Sequence, residues 1–100
     1  MNWKEIGKKY PKASKKFLDS LKTSLHLYND RDLYDFFDEQ GVYIEISAFR
    51  NDQWDADISK VTPGGTLIFN VDEPVRKKET RIKAEGAAFL KAFEILENKL

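Results

Sequence analysis

The spacing of apolar residues changes twice along this chain, and that change limits the fold more than any other feature. Up to Gly41, apolar residues recur every three or four positions, which is the helical period. From Val42 onward they alternate, the period of a strand with one wet face. From Thr80 to Leu100 the helical period returns. Helices, then strands, then a closing helix is the pattern of a segregated α+β domain, not of alternating βαβ units.

The first stretch divides at its caps. Asn2 and Glu5 have capping-box spacing, and Trp3 and Ile6 fall on one side of a short helix that Gly7 weakens. Pro11 suits the first turn of the next helix, where its missing N–H is not needed. Ala13, Phe17, Leu18, Leu21 and Leu25 then make an apolar stripe over about residues 11–25. Asn29 or Asp30 caps a third helix, "DLYDFFDEQ", whose apolar side is Leu33, Phe36 and Phe37. Gly41 is its C′ residue.

In "VYIEISAF" Val42, Ile44, Ile46 and Ala48 share one face, and Tyr43, Glu45, Ser47 and Phe49 the other. "RNDQ" is a turn. Trp54, Ala56 and Ile58 alternate with Asp55, Asp57 and Ser59 in an antiparallel second strand. After "TPGG", the stretch "TLIFNV" is a third strand, with Leu67, Phe69 and Val71 inward and Ile68 outward. Residues 77–79 either prolong that strand or belong to a loop. The last helix opens on Thr80. Ile82, Gly86, Phe89, Phe93, Leu96 and Leu100 form its stripe, widened by Ala88, Ala92 and Ile95. Gly86 weakens a helix interior, and a close approach of its backbone to the sheet would account for it. The expectation is one domain over residues 1–100, an α+β fold of order α-α-β-β-β-α. N-terminal helices precede a three-stranded antiparallel meander, and a long C-terminal helix packs on the sheet in two layers.

Charge separates along the chain although it sums to zero. Residues 1–29 carry +5, residues 30–57 carry −7 and residues 58–100 carry +2. Basic and acidic segments packed side by side would neutralise one another, whereas a polyanion-binding domain shows surplus base. There is no cysteine, so neither a disulfide framework nor thiolate chemistry is in view. The charged start "MNWKEIGKKY" has no apolar signal region, and no apolar run reaches membrane-spanning length. A cytoplasmic protein is the expectation.

Groups that could carry chemistry are sparse. His26 is the one histidine and has no cysteine to join it as a metal ligand. Asp55 and Asp57 share a strand face, near Asp52, but "DADISK" lacks the turn glycine of a calcium loop. "PGG" lacks the lysine and glycine frame of a phosphate loop. Asp35, Asp38 and Glu39 read as a solvated helix face. No catalytic site, cofactor or metal is expected. Tyr43, Phe49 and Ile68 lie on the sheet face away from the proposed core and are the candidate protein interface.

Two resemblances bear on function. The helix–strand–strand–strand–helix order and "RKKETRIKAEGAAFLKAFEIL" resemble the double-stranded-RNA-binding domain. That resemblance implies phosphate contacts from Lys77, Lys78, Arg81 and Lys83. The chain departs from that family where "RNDQ" replaces its Gly-Pro-x-His loop, and where the helix before the strands is acidic. "MNWKEIGKKYPKASKKFLDSL", "DLYDFFDEQG" and "AAFLKAFEILENKL" look like small proteins of prophages and mobile elements of gut anaerobes, similar to phage α-β-α sandwich families. No functional residues carry over from that kinship. The expectation is a non-catalytic binding module that acts through a protein partner or as a homo-oligomer. A nucleic-acid-binding domain is the alternative.

Overall fold

The computed structural model describes residues 2–21, 28–50, 53–62, 64–68 and 75–100, with the side chains of Phe49 and Arg50 outside that description. His26, Leu25, Asp52, Phe69 and Val71 of the sequence reading lie outside the described residues.

Helix α1 (Trp3–Lys9) opens with the Glu5 N–H donating to Asn2 Oδ1. Helix α2 (Pro11–Ser20) has proline at its first turn. It is shorter than its apolar stripe suggested, because Leu21 turns to an extended backbone and Leu18 is exposed. No side chain of its own caps α2. Instead Glu97 Oε1 accepts the Ala13 N–H at 2.8 Å, a carboxylate at the positive end of the helix. Helix α3 (Asp30–Glu39) starts at Asn29 with a full capping box to Asp32. Gly41 follows at φ 74°, a conformation that costs glycine little.

The sheet has strand β1 (Val42–Arg50) paired antiparallel with central β2 (Gln53–Val61). The pairs Ile44–Ile58, Ile46–Ala56 and Ala48–Trp54 put the apolar residues of both strands on one face, as their alternation requires. The third strand is divided. Strand β3 (Leu67–Ile68) pairs with Lys60 and Val61, and β4 (Val75–Lys78) pairs with Trp54 and Ala56. Both run antiparallel to β2 along the same edge. The β2–β4 ladder shifts register, and Lys77 takes φ 57°, as at a bulge.

Register also reverses the expected facing of β3. Ile68 stands opposite Lys60, which stands opposite Val42, so Ile68 is on the helix-covered face. Leu67, opposite Val61, joins Tyr43 on the other face. Both sit at the sheet's margin and stay about equally exposed, at 41% and 40%.

Helix α4 (Arg81–Lys99) begins where Thr80 Oγ1 accepts the Lys83 N–H. It crosses β1, β2 and β4, while α3 lies on β1 beside it. Helix α2 packs on α4 and α3, and α1 on α2. Ala84, Ala88, Ala92 and Ile95 face inward with Phe89, Phe93 and Leu96. Around Phe93 the rings of Trp3, Phe17 and Phe37 meet edge to face with centroids 4.9–6.2 Å apart.

Candidate functional site

Helix α4 departs from its expected stripe at the N-terminal end. Ile82 is 81% exposed and Leu90 44% exposed. Gly86 lies between them, one turn from each. A Cβ built on Gly86 meets nothing within 4 Å. The glycine is therefore not explained by close approach to the sheet. The core side of α4 is instead the alanine line, which lets the helix settle on the strands and rotates Ile82, Gly86 and Leu90 outward.

That rotated stripe forms one wall of an open cleft of about 400 Å³. Ile6 of α1 and Tyr10, the residue between α1 and α2, form the opposite wall, and Tyr28 and Phe89 also line it. Its charged lining is Glu5, Asp30 and Glu85 against Lys9. Glu85 is held in place: Tyr34 Oη donates to its Oε2 at 3.0 Å, and Arg81 Nε lies 3.3 Å from its Oε1. Burial, then the adjacent Glu85, pushes the Tyr34 phenol well above its ordinary pKa, so it remains a donor.

A second surface is the sheet itself. Tyr43, Glu45 and Ser47 are exposed on the face that α3 and α4 leave open. Glu45 stands directly opposite Asp57, a like-charge pair. Arg76 relieves one member, with Nη2 2.9 Å from Asp57 Oδ1. Asp55 Oδ1 accepts the Lys77 N–H at 3.0 Å. The two aspartates that suggested a cation site thus hold the bulged β4 against β2. Among the described residues no three His, Cys, Asp or Glu side chains gather as a metal site.

The two edges of the sheet differ. The β3/β4 edge is broken by the change of register and by the Lys77 bulge. The β1 edge runs nine residues, irregular only between Ala48 and Arg50. Val61 N–H donates to the Gly41 carbonyl at 2.9 Å, which fixes the phase of the ladder. Gly41, Tyr43, Glu45 and Ser47 therefore face β2 with their backbone groups. Val42, Ile44, Ile46 and Ala48 point theirs away from it.

The residues suggested for phosphate contact are partly engaged. Lys83 Nζ lies 3.0 Å from Glu79 Oε2, and Arg81 pairs with Glu85 while its guanidinium stands 6.0 Å from the Trp54 ring centre. Lys78 is half-buried opposite Trp54, and Lys77 is exposed. Of the suggested protein interface, Tyr43 is on the open face, Ile68 is on the covered one, and the Phe49 side chain lies outside the described residues.

Sequence reasoning missed the cleft and the edge. The signal for the first was present: alanines at 84, 88 and 92 compete with the Ile82–Gly86 line for the core. The outward backbone groups of β1 depend on ladder phase, which side-chain alternation does not encode.

No helix among the described residues is long and apolar enough to cross a membrane. No family model, curated protein or solved structure matches the chain.

Proposed function

We propose that the chain is a non-catalytic binding module that acts through a protein partner, seated in the cleft between α1 and α4. The observation that carries this reading is Gly86. A glycine inside a helix costs about 1 kcal/mol relative to alanine, and here no neighbour occupies the space a Cβ would take. The fold gains no packing from the missing side chain, so the bare backbone serves an approaching molecule.

The shape supports a helical partner. Ile82, Gly86 and Leu90 span nine residues of α4, roughly 12 Å of helix. The gap over Gly86, between two exposed aliphatic side chains, takes one apolar knob of a crossing helix. Glu5, Asp30 and Glu85 outnumber Lys9 around the cleft, which favours basic residues beside that knob.

A displayed library of helical peptides, randomised on one face, tests this against the wild-type chain and Gly86→Leu. Enriched peptides should shift the amide resonances of Ile82, Gly86 and Leu90 and lose binding to the folded variant. A library that enriches nothing, or peptides that bind Gly86→Leu equally well, would overturn the reading.

A further inference from the structure

Strand β1 has a free edge of a kind that folded proteins usually protect. Long, regular edge strands with few charges invite another strand, and they are commonly blunted by bulges, prolines or inward charges. The opposite edge of this sheet carries such a device, the bulge at Lys77. Strand β1 has no proline, and Glu45 is its one acidic residue. Val42 is fully buried, so the accessible stretch of the edge runs from Ile44 to Ala48. Among the described residues, no hydrogen bond from another element reaches the outward groups of Ile44, Ile46 or Ala48.

The charges around this edge select what can join it. Glu45 faces Asp57 across the ladder, and among the described residues it has no ion pair of its own. Helix α3 lies over β1 and carries Asp30, Asp32, Asp35, Asp38 and Glu39 against Arg31. Asp38 already resists ionisation, from partial burial and from Asp35. A second copy joined by a two-fold axis would set its own α3 on the same side of the extended sheet, acid beside acid. A basic segment meets no such repulsion.

We propose that the outer edge of β1 takes an extended, basic segment of a partner protein as an added strand. Main-chain bonds form to Ile44, Ile46 and Ala48. Apolar side chains of the segment continue the helix-covered face, and a lysine or arginine stands beside Glu45 on the open face. This edge is separate from the α1–α4 cleft, and the two can fail independently because they move different resonances.

The test uses capped nine-residue peptides of alternating valine and threonine, with lysine or glutamate at the central threonine position. Hydrogen exchange of the full chain is read by NMR. The lysine peptide should slow exchange at Ile44, Ile46 and Ala48, while Tyr43, Glu45 and Ser47 stay as protected as before. It should bind about five-fold more tightly than the glutamate peptide, the scale of one cross-strand charge pair. Glu45→Lys should reverse that preference. Ala48→Pro deletes an outward N–H without touching the β1–β2 ladder, and should weaken both peptides. Protection that does not alternate, or equal affinity for both peptides on both chains, would overturn the proposal. So would concentration-dependent dimers that protect the same amides without peptide, since the edge would then belong to a second copy.

Discussion

At the scale of single residues, the structure separates positions that serve the fold from positions that the fold does not need. Gly86 is of the second kind. Alanine fits there, since nothing lies within 4 Å of the added carbon. Gly86→Ala should stabilise the chain by about 1 kcal/mol, raising Tm by roughly 4–8 °C for a domain of this size. Thermal unfolding measures it, and a fall in Tm would mean that the glycine serves packing after all. Asp38 gives a pH-dependent case. Partial burial, then the Asp35 charge, holds its carboxyl above the ordinary pKa. The folded state therefore keeps this proton more tightly than the unfolded chain. The stabilising contribution is complete below the unfolded carboxylate pKa, and it is lost as pH rises through the raised folded value. Asp38→Asn should be more stable than wild type at neutral pH, with the gain shrinking toward zero below about pH 4. Denaturant midpoints across that range give the answer, and a pH-independent gain would place its origin outside titration.

At the scale of elements, what was legible followed from local chemistry. Asn2, Pro11, Asn29, Gly41 and Thr80 each stand at a helix end, because caps act through neighbouring backbone groups that the sequence fixes. The facing of β1 and β2 was legible too, since alternation and turn length set register together. The facing of Leu67 and Ile68 was not, because two paired residues give too short a run for alternation to decide. Neither was the rotation of α4, where alanines rather than larger apolar residues meet the sheet. The aspartates of β2 belong at this scale. Asp57 holds Arg76, and Asp55 holds the Lys77 N–H, so they fix β4 beside the bulge. Asp57→Asn should quicken hydrogen exchange in β4 while Tm falls only slightly, since exposed ion pairs contribute at most about 1 kcal/mol. Unchanged exchange in β4 would mean that Asp55 and the ladder hold the strand without that pair.

At the scale of the whole molecule, the question is whether the basic ends of a neutral chain act together. Sequence separates the charge into +5, −7 and +2 blocks, but folding mixes them. Arg76 lies against Asp57 of the acidic block, Arg81 and Lys83 pair with Glu85 and Glu79 of their own block, and the acidic α3 lies on the same side of the sheet as α4. Partial pairing matters for a duplex, because affinity for phosphates comes from releasing counterions at fixed, available cations. Four such contacts would give a slope of log K against log salt of roughly −3 to −4. The arrangement at Lys77, Lys78, Arg81 and Lys83 argues for a much smaller value: two of the four are engaged with carboxylates and Lys78 is half-buried. Titration with duplex RNA, duplex DNA and a single strand should show no steep salt dependence, and reversing Lys78 and Arg81 to glutamate should change little. A steep slope that this double reversal flattens would turn the start of α4 into a phosphate clamp. It would also move the search for a partner from the Gly86 cleft to nucleic acid, because the cleft lining is net acidic and would repel phosphates.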